Sequence, residues 1–363
     1  MREVNPIRSM MGADESFYLH WLARDYYRGE GEIVDGGPLL GGSTYALASG
    51  LQRNSHVSNK AKRIHSYDLF RFYSGFTTSV LPGAQYKEGD SLLPLFLQNT
   101  RPYADLIEVN PGDLLDRRWT GQPIELLFID LAKSWQLHNH VIREFFGCLI
   151  PNRSVVIHQD YYHYNCYWIH ITMQYLSPYF KVVHHPDGGS LGFLLVERIP
   201  QDLLDVDYST FFSKTQAIEL MDRALQPLQG AHKLIVMTAK MRLLCDLQEY
   251  EAACSLSREI RQSPDWQAWL LYDLVQAESH IPANILFPGL RKRQALVAFS
   301  RNYHLFQHGE WVYAVPAALR QFDIESESSR RSPGVLKAKT LSAVGVLIGE
   351  TLQPKPKQSS GSR

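Results

Sequence analysis

The chain has 363 residues, of which 45% are hydrophobic and 20% charged, enough apolar material for one large or two ordinary globular domains and too much for a chain disordered throughout. Lysine plus arginine equals aspartate plus glutamate at 37 each, so no overall basic field draws the protein to nucleic acid or to an anionic membrane. The four cysteines, Cys148, Cys166, Cys245 and Cys254, form no C-x-x-C pair and fall in apolar or helical stretches, where a reduced thiol behaves as a small hydrophobe.

In chain order, short β-like runs alternate with helical segments from about residue 31 to residue 199, the pattern of a parallel sheet covered on both faces. Strands are predicted at residues 32–35, 63–67, 105–109, 125–129 and 154–158. A glycine-rich turn and an apolar helix over residues 43–51 follow the first. Ahead of the fifth, Val141, Ile142, Phe145, Phe146, Leu149 and Ile150 recur at helical spacing until Pro151-Asn152, which stops the helix. Runs 180–184 and 191–197, joined by Pro186-Asp187-Gly188-Gly189, read as a hairpin that adds an antiparallel edge. From Lys214 to Ser279 the pattern is helical, punctuated by Gly230 and Pro264. Residues 243–264 resemble one tetratricopeptide-type helix pair; such units are stable only when stacked, and the simpler reading is an ordinary helical hairpin packed on the sheet domain. The organisation is thus an α/β domain over residues 1–200, a helical region over 201–325, and a polar, serine- and proline-rich stretch over 326–363 that is expected to be mobile. Residues 341–352 are too short to span a bilayer, and the opening residues have no apolar signal core; a cytoplasmic protein is expected.

The run Asp35-Gly36-Gly37-Pro38-Leu39-Leu40-Gly41-Gly42-Ser43-Thr44 lies where the first strand hands over to the first helix, the place at which open α/β sheets bind ligands. Its glycines let the backbone approach a ligand, and the helix start at Gly42-Ser43-Thr44 offers free N–H groups and a positive dipole end to a carboxylate or phosphate. The glycines fall at 36, 37, 41 and 42, which is not G-x-G-x-x-G, and no Gly-Lys-Ser/Thr follows; a dinucleotide or nucleoside triphosphate is disfavoured. Asp68, at the end of the second strand, is placed to hold two ribose hydroxyls. A nucleoside with a carboxylate and no phosphates fits this set.

Residues 33–44, with Phe128-Ile129-Asp130 and Val155-Val156-Ile157-His158-Gln159-Asp160, resemble the class I S-adenosylmethionine-dependent methyltransferases, most closely the macrocin O-methyltransferase-like group. The resemblance covers about residues 20 to 200. It implies a doubly wound, mostly parallel, seven-stranded Rossmann-like sheet with an antiparallel hairpin, and S-adenosylmethionine as cofactor. Asp35, Gly36, Gly37, Gly41, Gly42, Ser43 and Thr44 would surround its methionine part, Asp68 its ribose, and Gly112-Asp113 its adenine, with Asp130 also at the cofactor.

Methyl transfer from a sulfonium is an in-line displacement, so the protein must align donor and acceptor and make the acceptor hydroxyl nucleophilic. Asp130-Leu131-Ala132-Lys133 is similar to the Asp-x-x-Lys of the catechol and caffeoyl-coenzyme-A O-methyltransferases, in which the aspartate binds a divalent metal and the lysine stands near the acceptor hydroxyl. A second acidic pair follows the fifth strand in those families; here the position reads His158-Gln159-Asp160. The resemblance implies Mg²⁺ or another divalent cation on Asp130, Asp160 and the neutral oxygen of Gln159; without a metal, Lys133 or His158 must accept the proton. Two readings from other classes stand beside this one. His158-x-Asp160 with a later histidine matches the facial triad of non-haem iron oxygenases, which needs a jelly roll. A non-catalytic scaffold would dock a protein partner, or a second copy, through the helical region. The aromatic-rich segment 70–96, together with Trp135, offers apolar walls for a small-molecule acceptor. The leading expectation is an O-methyltransferase acting on a hydroxylated small molecule, sugar-bearing or phenolic.

Overall fold

The computed structural model describes residues 5–286 apart from 74–76, 82–84 and 268–269. The stretch expected to be mobile, 326–363, and the last part of the helical region lie outside the described residues. Seven strands, β1 (Glu32–Gly36), β2 (Ile64–Asp68), β3 (Ile107–Pro111), β4 (Ile124–Ile129), β5 (Val155–His158), β6 (Phe180–His184) and β7 (Leu191–Leu195), form one sheet in the order β3-β2-β1-β4-β5-β7-β6. The first five are parallel, and β7 runs antiparallel between β5 and β6. This is the doubly wound, mostly parallel seven-stranded sheet expected, followed by helices. The third strand begins two residues later than its pattern suggested, because residues up to Leu106 are held in a 3₁₀ turn and the pairing with β2 starts at Ile107.

Every residue of β1 and β4 is buried, as a sheet covered on both faces requires. Successive residues serve opposite faces. Ile33, Leu126, Phe128, Val155 and Ile157 pack with α1 (Ala13–Trp21) and α2 (Gly42–Arg53) on one side. Val34, Leu127, Ile129 and Val156 join the core of the other side. Between β2 and β3 the chain makes α3 (Thr77–Val80) and α4 (Leu93–Thr100). The helix before β5, α5 (Trp135–Phe145), starts where Ser134 Oγ accepts the Leu137 N–H at 3.2 Å. It ends earlier than the apolar spacing suggested, because Leu149 leaves the helical path to bridge Ile124.

After β5 come α6 (Tyr167–Tyr175), the β6–β7 hairpin, and then α7 (Gln201–Leu204), α8 (Tyr208–Phe211), α9 (Lys214–Leu225), α10 (Gly230–Asp246), α11 (Tyr250–Gln262), α12 (Leu271–Glu278) and α13 (Ala283–Leu286). The segment resembling a tetratricopeptide pair is the α10–α11 hairpin, turned at Gln248 with φ +61°. It does not stand apart from the sheet: Met221, Val236, Met241 and Leu274 belong to the same continuous core as Ile169, Ile171 and Val156. Among the described residues no helix is long and apolar enough to cross a membrane.

The amino ends of the central strands are closed by one buried acid. Glu125, fully buried, accepts the N–H groups of Arg28 at 2.6 Å and Glu30 at 2.8 Å and pairs with Arg153, whose Nε lies at 2.8 Å. The Arg153 guanidinium also covers the Tyr26 ring at 4.5 Å. On the α1–α2 face the closest approach is at Gly50, where an added Cβ would meet the His20 carbonyl oxygen inside van der Waals contact. Gly50→Ala is therefore expected to lose about 1–3 kcal/mol of stability by forcing the two helices apart, despite the roughly 1 kcal/mol gain in helix propensity. Denaturant titration of wild type and variant measures this, and an unchanged or higher midpoint would refute it.

Candidate functional site

The carboxyl ends of β1 and β4 meet with almost no space between them. Asp130 donates its N–H to the Gly36 carbonyl at 2.7 Å, and a Cβ on Gly37, whose φ is +90°, would lie 2.5 Å from the Asp130 carbonyl oxygen. A Cβ on Gly36 would lie 2.8 Å from the Leu131 side chain, so both glycines serve the packing of the β1 turn on the β4 end. Asp35 and Thr44 are fully buried. The Thr44 hydroxyl donates to Asp35 and lies 3.1 Å from the Ser66 hydroxyl, bracing the loop from below. Burial pushes the Asp35 carboxyl up to about 7, against the hydrogen bonds that favour its charged form.

Gly41 (φ +96°) leads into α2, whose first residues are Gly42, Ser43 and Thr44. This helix start is covered by the chain itself. Asn5 Nδ2 donates to the Gly42 carbonyl at 2.8 Å and to Ser16 Oγ at 3.1 Å, and Ser9 Cβ lies 2.8 Å from where a Cβ on Gly42 would be. Residues Arg8 to Met11, with Gly37 to Leu40, Gly42, Ser43 and Asp130, enclose a cavity of about 20 Å³, room for a single water. Residues 5–11 thus form a strap over the loop, and the space left in front of the helix start is no larger than that water.

Asp68 holds the loop from the other side. Its Oδ2 accepts the Leu39 N–H at 2.8 Å and its Oδ1 accepts the Phe70 N–H at 2.6 Å; Leu39 sits at φ +48°, a strained conformation for a leucine that this bond helps to hold. Each carboxylate oxygen keeps one lone pair for a hydroxyl, and burial raises the pKa of the group. Gly112 follows β3 at φ +120° and donates its N–H to the Asp68 carbonyl at 2.9 Å, with Arg117 beside it. The adjacent Asp113 caps a short 3₁₀ turn by accepting the Leu115 N–H at 3.0 Å.

Next to the loop, four side chains from the ends of β4 and β5 close on one another. Lys133 Nζ lies 2.7 Å from Asp130 Oδ1 and 2.5 Å from Asp160 Oδ2. Gln159 is satisfied when its amide nitrogen donates to both acids, at 3.1 Å each. Burial pushes the Asp130 carboxyl up to about 7, with Lys133 opposing. Desolvation of the inward-facing part of this half-exposed side chain works against the charge on Lys133, but Asp130 and Asp160 outweigh it and hold the ammonium above the usual lysine range. Lys133 is thus protonated at neutral pH and has no lone pair, which corrects its expected role as proton acceptor.

The metal expectation also changes. Asp130, Gln159 and Asp160 are adjacent as the resemblance implied, but an ammonium already bridges the two acids and the amide is satisfied as a donor. Among the described residues there is no group of three or more histidines, cysteines or acids able to hold a metal. With the Lys133 ammonium between the acids, this set does not fit a divalent cation, because a second positive charge would meet the first.

His158 is not in the crevice. It is fully buried, with its ring 5.8 Å from that of His138 and 6.1 Å from Phe193, and burial lowers its pKa well below the usual value. It is neither the expected proton acceptor nor part of an iron triad, and a parallel α/β sheet is not a jelly roll. Of the aromatic segment, Phe70 and Phe96 turn inward, their rings tilted at 4.7 Å in the interior, while Phe76 falls outside the described residues. Trp135 packs on Tyr167 and Trp168.

Two features of the site had no signal in the sequence. One is the strap at Asn5 to Met11, a short mixed stretch without helical or strand periodicity. The other is the reach of the helical region toward the β5–α6 loop, where Tyr167 donates to Asp246 at 2.8 Å and Arg242 to Asn165 at 3.1 Å.

No protein-family model matches the chain, and no curated protein matches it. The solved structures to which it is similar include the O-methyltransferase NovP, at 15% identity and a TM-score of 0.42 over 52% of this chain and 83% of that one. The TDP-rhamnose 3'-O-methyltransferase CalS11 of calicheamicin biosynthesis is 16% identical, with a TM-score of 0.34 over 50% of this chain and 76% of that one. The pyocyanin biosynthetic protein PhzM is 14% identical, with a TM-score of 0.31 over 50% and 55%.

The buried histidines set a pH dependence. Desolvation lowers the pKa of His138 to about 3, against about 6.5 in an unfolded chain. The unfolded state then binds one more proton than the folded state between these values, so the stability that neutral His138 allows is complete above about pH 6.5 and is lost as pH falls. His138→Leu should therefore show a shallower loss of stability between pH 6.5 and 4, by up to about 1.4 kcal/mol per pH unit. Calorimetry across this range tests it, and parallel curves for the two proteins would contradict the assignment.

Proposed function

We propose that the chain is a class I S-adenosylmethionine-dependent O-methyltransferase acting on a hydroxylated small molecule, with sugar-bearing and phenolic acceptors the leading classes. The observation that carries this reading is the position of the Asp130, Lys133 and Asp160 cluster. It lies at the carboxyl ends of β4 and β5, and Asp130 shares a cavity wall with the glycine loop that opens α2. Ligands in open α/β sheets sit at this switch point, where strand order reverses between β1 and β4.

The cofactor, when bound, supplies an electrophilic methyl group on a sulfonium. The protein's residues do the rest. Backbone N–H groups at the start of α2 hold a carboxylate, and the free lone pairs of Asp68 accept ribose hydroxyls. Asp130, with a carboxyl poised near neutral pH, accepts the proton of the acceptor hydroxyl. The Lys133 ammonium, half exposed at 51%, faces the developing negative oxygen and stabilises it. The order of the four groups makes the acid the base and the lysine the electrostatic partner.

Asp130→Asn is expected to reduce turnover roughly 10²- to 10⁴-fold, the scale of a positioned proton acceptor, and wild-type turnover should rise with pH as Asp130 ionises near 7. Steady-state rates on an identified acceptor across pH 5.5 to 8.5 check both; a flat profile with full activity of the variant would remove Asp130 from the chemistry.

The strap generates a separate expectation. Asn5→Ala removes the two bonds that fasten it over Gly42 and Ser16, so the open form costs less and S-adenosylhomocysteine should bind up to about tenfold more tightly. Isothermal calorimetry measures this, and weaker binding by the variant would show that the strap belongs to the bound state instead. A non-catalytic scaffold is the second reading, favoured by the 20 Å³ left above the loop; absence of any binding heat with either protein at millimolar S-adenosylhomocysteine would support it.

A further inference from the structure

We infer that Lys133 is the resident cation of the site: its ammonium occupies the position between Asp130 and Asp160 that a divalent metal would need. Three observations converge on this. Nζ is within 2.7 Å of one carboxylate and 2.5 Å of the other, so a single positive group neutralises acids that arrive from two different strands. Asp160 is only 9% exposed and Asp130 21%, and two carboxylates this far out of water are not stable side by side without a cation between them. Gln159, the residue that stands between them in the chain and in space, is satisfied as a donor to both acids at 3.1 Å. With its oxygen turned inward it would add a third acceptor to the acids. Ammonium, amide and carboxylates therefore form one set in which both acids are paired and one of the three ammonium N–H groups is left over.

The spacing explains how the lysine reaches this place. Asp130 directly follows β4, and Lys133 comes three residues later in the turn that precedes α5, with its N–H bonded to the Leu131 carbonyl at 2.8 Å. That turn points the lysine stem back across the strand end toward Asp160 at the end of β5. Trp168 Nε1 donates to the Ala132 carbonyl at 2.8 Å and fixes the turn from the α6 side. A cation delivered on a covalent stem has no dissociation equilibrium with solvent, so the acids stay paired at any metal concentration. Lys133 is then a positioning residue for the two carboxylates, whatever reaction they serve.

The consequence is a latent metal site that appears when the lysine is removed. Lys133→Ala leaves two carboxylates a bridge apart and a glutamine free to turn its oxygen inward, a set that Mn²⁺ accepts. The experiment titrates the full-length protein with MnCl₂, reading free Mn²⁺ by electron paramagnetic resonance and the melting temperature in parallel. Wild type is expected to bind no Mn²⁺ below millimolar concentrations. Lys133→Ala should bind it at least tenfold more tightly with a rise in melting temperature by mass action, and adding Asp160→Asn to that variant should abolish the gain. Lys133→Arg, which keeps the positive charge, should behave as wild type. If Lys133→Ala does not fold, Lys133→Met preserves the stem volume and carries the same expectation. Wild-type binding as tight as that of the variant, or no binding by Lys133→Ala and Lys133→Met, would overturn the inference. None of these readouts involves methyl transfer, so the outcome stands apart from the success or failure of the proposed activity.

Discussion

The structure depends on one backbone contact, the approach of Gly37 to the carbonyl of Asp130. A residue with a Cβ at 37 would sit 2.5 Å from that oxygen, closer than any real contact, so the two central strands can end together only because no side chain is there. From this contact the rest follows. The β1 turn rises tightly enough for α2 to start above the sheet, Leu39 comes within reach of Asp68, and Asp130 is carried to the rim next to the loop. Glycine here is a condition for bringing two functional segments into one crevice, more than a source of flexibility.

Charge at the crevice follows a consistent logic. Asp35, Asp68 and Asp130 each end up with a carboxyl raised above the usual range, and burial is the largest cause in every case. Strand ends in a covered sheet are dry, and an acid placed there is held by hydroxyl or backbone donors, as Asp35 and Asp68 are, or by a fixed ammonium, as Asp130 is. The helices beyond residue 200 contribute to this geometry. They share a core with the sheet through α6, and they tie the start of α6 and the residues before it by Tyr167 and Arg242, so the connection that follows β5 is held by residues far along the chain.

The central strands were legible because each is a short apolar run bounded by turn residues, and β1, β4 and β5 are buried along their whole length, whereas the outer strands β3 and β6 bury only their first residue. The hairpin announced itself through Pro186-Asp187-Gly188-Gly189, and the glycine loop through its place between a strand and a helix. The end of α5 was not legible: Leu149 and Ile150 keep the helical spacing, but a tertiary bridge to Ile124 takes Leu149 out of the helix. The chemistry was harder still. Asp130, Lys133, Gln159 and Asp160 could be picked out by position, whereas their protonation states depend on which of them touch. His158 looked like a candidate because it precedes Gln159-Asp160, yet alternation along β5 sends its side chain to the interior. The strap was invisible, since nothing in a short stretch without periodicity says that Asn5 will bond to Gly42.

The buried Glu125 at the opposite end of the sheet gives the molecule a polarity of its own. There a buried carboxylate, an arginine and the N–H groups of Arg28 and Glu30 interlock, and loosening any one leaves the buried Glu125 short of a partner, which raises the cost of local opening at that end. At the crevice end the covering strap is fastened by a few hydrogen bonds from Asn5 at part-buried positions, which places it at the low end of the same free-energy scale. The two ends of one sheet are thus secured unequally: at the floor opening strands a buried charge, at the mouth it breaks only hydrogen bonds between neutral groups.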